Sequence, residues 1–514
     1  MLRMVLVLIF VGILWVTVGR DPRLVERQKQ RASQGKPAHS VVGDPQPQVA
    51  VDIQGVIEEA RAAPPEFAAD ALIRIAQSTK ITDQDQKREL LEEAFHVASG
   101  AQHEMARSAA SGGVVDTRSG YLANAFRHQL DALSLRCRAV RALLSVDKQM
   151  ARTLFSQIPK PSPKPLTCED ALVYDLSSFY ATLHQVLKEG FSQKDIAEGR
   201  VAELLEPYVR GITSPVEVGP VAEAILAVDL PPSQLNLLVQ TLSMALKKLP
   251  PDDRSFSYSL ARYPVVQIVD QLALTCKEKG ISNDELLEAF RTYLVNQLSS
   301  SRCADTKMEM RSETALPAVV EYFNTALMGK AFPGQKKMWL ISPDEIKPSK
   351  IGGSAKIEPY WRSSKAKDLL TRLQKLRFNP KAREYTLGEK KEPDWQRGLI
   401  ELMNDLEAWS AREEKSEADY FHQKCVLLTR LLELLPADDS MREGILSSFV
   451  AFLSDSPTYR ESRIEWFQHV HDLIRWARSR QDTERVKVLK LLRDSGNSVL
   501  VLYAHLEELI PERQ

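Results

Sequence analysis

Leu122, Phe126, Leu130, Leu133, Cys137, Val140 and Leu144 recur at three- and four-residue steps through "YLANAFRHQLDALSLRCRAVRALL". Such spacing lays one continuous apolar stripe along a helix and predicts a segment buried along that face. The same period runs through "FAADALIRIAQS", "KRELLEEAFHVA" and "DALVYDLSSFYATLHQVL". Between residues 52 and 329 no segment alternates with the period of two that a half-buried strand requires. The fold class expected is all-α. Short-looped amphipathic helices without a long heptad run must bury their faces against sequential neighbours. The architecture expected is therefore stacked helical hairpins, solenoid-like in the manner of HEAT or TPR arrays.

One junction recurs. Gly190-Phe191-Ser192-Gln193-Lys194-Asp195-Ile196 and Gly280-Ile281-Ser282-Asn283-Asp284-Glu285-Leu286 share an order of Gly, apolar, Ser, two spacers, acid, apolar. Gly can take the left-handed conformation that ends a helix, Ser caps the next one, and the acid three residues on completes a capping box. Each predicts a tight helix-to-helix turn. Their 90-residue separation fits two units of roughly 45 residues.

Helical patterning stops near residue 330 and resumes at Asp394. Trp395, Leu399, Leu402, Met403, Leu406 and Trp409 line one predicted helix. Ala418, Phe421, Cys425, Leu428, Leu432 and Leu435 line the next, with Ser416 as its cap and four more helical segments to follow. The expected organisation is an N-terminal signal or anchor at 1–19, a polar tether at 20–51, a helical-repeat-like domain at 52–329, a basic connector at 330–393 and a C-terminal helical domain at 394–514.

Residues 4–19 form an uncharged apolar run behind Arg3. Sixteen helical residues reach roughly 24 Å, short of a ~30 Å hydrocarbon core. The run therefore lies between a cleavable signal core and a full span. Thr17-Val18-Gly19 offers a small-x-small cleavage pattern, whereas Arg20, Arg23, Arg27, Lys29 and Arg31 make a basic flank that the positive-inside tendency reads as cytoplasmic, the alternative being an anchor whose body faces the cytoplasm. Placement this early in the chain points to an extracytoplasmic body, either released by cleavage or anchored by a single helix that contacts the membrane through residues 4–19. Lys+Arg and Asp+Glu are equal at 68 each, so no net field draws the molecule to nucleic acid or an acidic membrane. Five cysteines without C-x-x-C write neither a zinc ribbon nor a redox pair. Cys137, Cys276 and Cys425 fall on apolar stripes as core residues, while Cys168 and Cys303 lie near predicted helix ends, as exposed thiols or a bridge.

The segments "PPEFAADALIRIAQS" and "KRELLEEAFHVASGAQ" resemble stretches of uncharacterised bacterial exported helical proteins. The resemblance covers under a tenth of the chain, implies export and carries no activity. The tests for enzyme chemistry point the same way. "GKAFPGQKK" lacks the Lys and hydroxyl of a phosphate loop, Glu93-x-x-His96 has no second copy for a metal pair, and no G-x-S-x-G elbow occurs. No cofactor and no specific nucleic-acid motif is expected. A hydrolase with catalytic residues scattered over the helices ranks third among the functions considered.

The connector carries sixteen Lys/Arg against seven Asp/Glu, is broken by six prolines and leaves one helix-capable piece near 363–377. Basic residues and rings alternate through Lys336, Lys337, Trp339, Lys347, Lys350, Lys356, Tyr360, Trp361 and Arg362. Cations neutralise charge while rings stack on bases or sugars, so these nine are the candidate site for an anionic or cell-envelope polymer. The first expectation remains a scaffold that binds another protein or peptide on a concave helical surface.

Overall fold

The computed structural model describes residues 52–109, 117–262, 264–299, 302–303, 318–328, 340–346, 351–360, 363–379, 384–414, 416–435, 439–456, 462–480 and 482–510. The chain divides into residues 1–50, which lie outside the described residues, and residues 51–514. The second unit is all-α in character. Its helices are α1 (Ile53–Ala62), α2 (Pro65–Gln77), α3 (Gln84–Val97), α4 (Arg118–Ala125), α5 (Ala132–Leu143), α6 (Lys148–Ser156), α7 (Ser177–Glu189), α8 (Gln193–Ala197), α9 (Arg200–Arg210), α10 (Pro215–Leu226), α11 (Pro232–Lys248), α12 (Ser255–Arg262), α13 (Val265–Glu278), α14 (Asp284–Ser299) and α15 (Ala318–Met328). After the connector come α16 (Ser364–Arg377), α17 (Pro393–Ala408), α18 (Glu417–Leu434), α19 (Met441–Asp455), α20 (Arg463–Arg478), α21 (Asp482–Arg493) and α22 (Ser498–Leu509).

The long stripe is buried but not continuous. Phe126, Leu130, Leu133, Cys137, Val140 and Leu144 all lie in the core, yet the helix breaks between α4 and α5. Gln129 turns left-handed at φ 55°. The Asp131 side chain, fully buried, then accepts from Ser134 N at 3.0 Å and caps α5. A short acidic side chain competes with helix continuation by satisfying the next turn's amides, which apolar spacing does not register.

Two short ladders correct the expectation of no strand. In β1 (Arg107–Ala109) and β2 (Leu172–Tyr174), Arg107 pairs with Tyr174 and Ala109 with Leu172, antiparallel. In β3 (Arg302–Cys303) and β4 (Ile351–Gly352) the pairing is parallel. Leu172-Val173-Tyr174 was expected to be helical, but Asp175 Oδ1 accepts from Ser177 N at 3.0 Å, so α7 begins only after it.

The two recurring junctions differ. Ser192 and Asp195 form the expected capping box, but Gly190 has an ordinary right-handed backbone. Its missing side chain is needed for another reason, because a Cβ there would meet Val186 O at 2.5 Å. Gly280 is left-handed at φ 72° as expected. Past it α14 starts one residue late, with Leu287 N bonded to Asn283 O at 3.0 Å and Ser282 Oγ only 3.4 Å from Asp284 N.

Helices α3, α5, α7, α10, α13 and α15 pack each on the next, and α9, α11 and α14 form a parallel row behind them. The C-terminal helices continue into the same core. Helix α22 packs on α1 and α2, and α20 packs on α4, so the ends of the unit meet. Between them the connector runs back across the array. Ile341 exchanges backbone bonds with the Asn324 amide of α15 at 2.8 and 2.9 Å. Glu345 pairs with Arg291 of α14, and β4 then adds to β3. Lys356 N donates to Glu169 O at 3.1 Å, and Arg118 N donates to Glu358 O at 3.0 Å. The helix-capable piece of the connector is α16. Beneath this return path Cys168 and Cys303, 135 residues apart, form a disulfide with a Cα–Cα distance of 5.1 Å. Cys137, Cys276 and Cys425 are free and buried, as their positions on apolar stripes imply.

Candidate functional site

Of the nine connector positions singled out by sequence, Lys336, Lys337, Trp339, Lys347, Lys350, Trp361 and Arg362 lie outside the described residues. Lys356 is exposed but ion-paired with Glu169. The Tyr360 ring is buried, stacked on His422 with ring centroids 3.8 Å apart, and its hydroxyl donates to Glu465 Oε1 at 3.2 Å. Gln423 Nε2 donates to its carbonyl at 2.5 Å. Tyr360 therefore anchors the connector to α18 and α20, and its faces are closed to a stacking base or sugar.

A groove opens instead across α7, α10 and α13, three helices that are consecutive in one row. It encloses about 650 Å³. Helix α7 contributes Ser177, Ala181, His184 and Lys188, spaced four, three and four residues apart and hence on one face. Pro220, Glu223, Leu226 and Ala227 of α10 form the middle, and Gln267, Ile268 and Gln271 of α13 the far wall. Tyr180 sits at the base, its hydroxyl donating to the fully buried Glu217 at 3.0 Å. Glu217 Oε2 also accepts from Thr213 N and Ser214 N at 2.8 and 3.1 Å, which fixes the N-terminus of α10 against α7.

The electrostatics of this groove are those of an open set of valences. Solvent reaches Glu223, but the enclosing walls raise its carboxyl above the usual range. Burial, with Lys188 one turn away, lowers the His184 imidazole. Glu223, His184, Lys188, Gln267 and Gln271 make no side-chain hydrogen bond or ion pair with any described residue.

The seam where the two ends of the unit meet is also polar, but closed. Tyr503 donates to Asp70 Oδ2 at 2.7 Å, and Arg138 lies 2.7 Å from the other oxygen. Glu507, 1 % exposed, is held by Arg74 at 3.1 Å and by Arg478 Nε at 2.8 Å. Asp70, Arg74, Arg478, Tyr503 and Glu507 border a cavity of about 50 Å³ with His128 and His471. Burial opposes the Asp70 charge, but Arg138 and Arg74 outweigh it and hold the carboxyl below the usual range. Farther along the seam His422 Nδ1 lies 3.3 Å from His469 Nε2, under the rings of Tyr121 and Tyr360. Burial pushes His469 down to about 3 and lowers His422 as well, so both imidazoles are neutral. Among the described residues no group of three or more His, Cys, Asp or Glu is placed to hold a metal ion.

No family model, curated protein or solved structure matches the chain. The polar groove residues escaped sequence reasoning because they fall on the solvated side of amphipathic helices, where no ligand is the ordinary expectation. What sequence did not carry was that three such faces adjoin.

Proposed function

We propose that the chain is a non-enzymatic helical scaffold that holds a peptide segment of another protein in the groove of α7, α10 and α13. The observation that carries this reading is the set of five polar side chains that line the groove and find no partner among the described residues. A surface built only for solubility has no need to gather such groups in a concavity, whereas recognition sites combine apolar walls with a few convergent polar groups. The two rows of successively packed helices support a stacked-hairpin architecture, which presents extended concave surfaces.

Export is proposed on two grounds, the apolar run at 4–19 and the Cys168–Cys303 bridge. Disulfides form and persist chiefly in oxidising compartments. Thiol alkylation of protein rapidly denatured from cells should label three cysteines without reductant and five with it; five labelled in both would remove that support. The groove is tested by placing a photo-crosslinking residue at position 271, with position 240 on the exposed side of α11 as control. Adducts are expected from 271 alone and should disappear when Ala181→Trp fills the groove. Equal adducts from both positions, insensitive to that substitution, would reject the scaffold reading.

A further inference from the structure

Resting on that reading of the groove, we propose that its occupant is an extended segment bearing a Lys or Arg that docks on Glu223 of α10, with an acidic residue about three positions away facing His184 and Lys188 of α7. Size comes first. Helices in contact lie roughly 8–10 Å apart, so three in a row span about 20 Å between their outer axes. An extended chain at about 3.3 Å per residue crosses that distance in six or seven residues.

Charge comes second. Among the described residues Glu223 is the one carboxylate lining the groove, and no described cation answers it, because Lys188 lies beyond ion-pair distance and makes no salt bridge. The surrounding walls already disfavour its charged form. An incoming guanidinium or ammonium offsets that cost and forms a charge-assisted hydrogen bond with the carboxylate, the stronger class of such bonds. Lys188 and His184 occupy the neighbouring helix, one interhelical distance or about three extended residues away. Lys188 supplies a cation and the His184 imidazole a hydrogen-bonding neighbour, an edge suited to a carboxylate.

Backbone reading comes third. Gln267 and Gln271 are one turn apart on the same face of α13. Each carboxamide offers one acceptor and two donors, which match the C=O and N–H of a peptide lying across it irrespective of sequence. The amides hold the strand and the charges set its register.

A displayed library of random heptapeptides, selected in parallel on the full-length wild-type chain and on Glu223→Lys, tests this. Lys or Arg should be enriched at one position on the wild type and replaced there by Asp or Glu on the variant. A fluorescein-labelled selected peptide should bind Glu223→Gln about tenfold more weakly by fluorescence anisotropy, the loss of one charge-assisted contact. The variants sit on a solvent-reached position, and circular dichroism should show unchanged helicity. Peptides that Ala181→Trp abolishes but that show no basic preference, or the same preference on Glu223→Lys, would overturn the charge assignment while leaving the groove intact. Failure to select peptides, or peptides indifferent to Ala181→Trp, would overturn both.

Discussion

The seam and the groove are made from the same residue types and put them to opposite use. In the seam every carboxylate meets a cation or a hydroxyl: Asp70 with Arg138 and Tyr503, Glu507 with Arg74 and Arg478, Glu66 with Arg463 at 3.1 Å. In the groove Glu223, His184, Lys188, Gln267 and Gln271 face one another across a concavity without bonding. Buried charges must be paired to be tolerated, so the pairing in the seam is a condition of folding. Groups at a solvent-filled groove bear no such condition, and their valences stay available. The difference separates residues that hold the molecule together from residues that can hold something else.

The largest effect that would test this contrast is expected from Glu507→Ala. Removing a buried carboxylate that neutralises two part-buried guanidiniums should destabilise the chain by about 3 kcal/mol in urea denaturation. A loss under about 1 kcal/mol would mean that Arg74 and Arg478 find water or other partners, and that the seam is as open as the groove.

Acid should expose the second half of the seam. The folded-state values of His422 and His469 lie below the unfolded value near 6.5, so the unfolded chain binds protons first as pH falls. Their contribution to stability is intact above pH 6.5 and is lost progressively towards about pH 3 for His469. Between pH 8 and pH 5 His469 should cost about 2 kcal/mol, with a loss of the same sign from His422, measured as a falling denaturation midpoint. Glu465, raised by burial, works in the opposite direction, since protonation on acidification favours the folded form. Asp70, with a lowered value, begins to matter only below its unfolded value near 3.9. A His422→Phe, His469→Leu double variant should flatten the midpoint between pH 8 and pH 5, and an unchanged slope would assign the loss elsewhere.

Smaller effects complete the series. Tyr360→Phe keeps the stacked ring and deletes the bond to Glu465, so about 1 kcal/mol should be lost; no loss would show that the return segment is held by its backbone contacts alone. Glu223→Gln should leave stability within about 0.5 kcal/mol, as for a surface position away from buried networks. A larger destabilisation would mean that Glu223 belongs to the fold and that the groove is not a free surface.

Much of the secondary structure was legible because helical periodicity is local. The cap at Ser416, which accepts from Asp419 N at 3.1 Å, the helix within the connector and the four final helices follow from residues within a few positions of one another. Misreadings arose where a short polar side chain redirected the backbone: Asp131 cut the long stripe in two, and Asp175 released Leu172–Tyr174 to a ladder. Cys168 and Cys303 could be singled out from their surroundings, but not paired across 135 residues. Tyr360 looked like one ring among basic residues, and its burial depends on α18 and α20, which follow it in sequence.

By itself the sequence determined that the chain is helical, which side of each helix is apolar and which cysteines fill the core, because those properties are set by neighbours three and four residues apart. Tertiary structure decided which polar faces meet. Tyr503 bonds to Asp70 across 433 residues, while the faces of α7, α10 and α13 adjoin without closing. Both sets of residues follow the same helical period, and only the docking of one helix on another removes water from the first set and leaves it around the second.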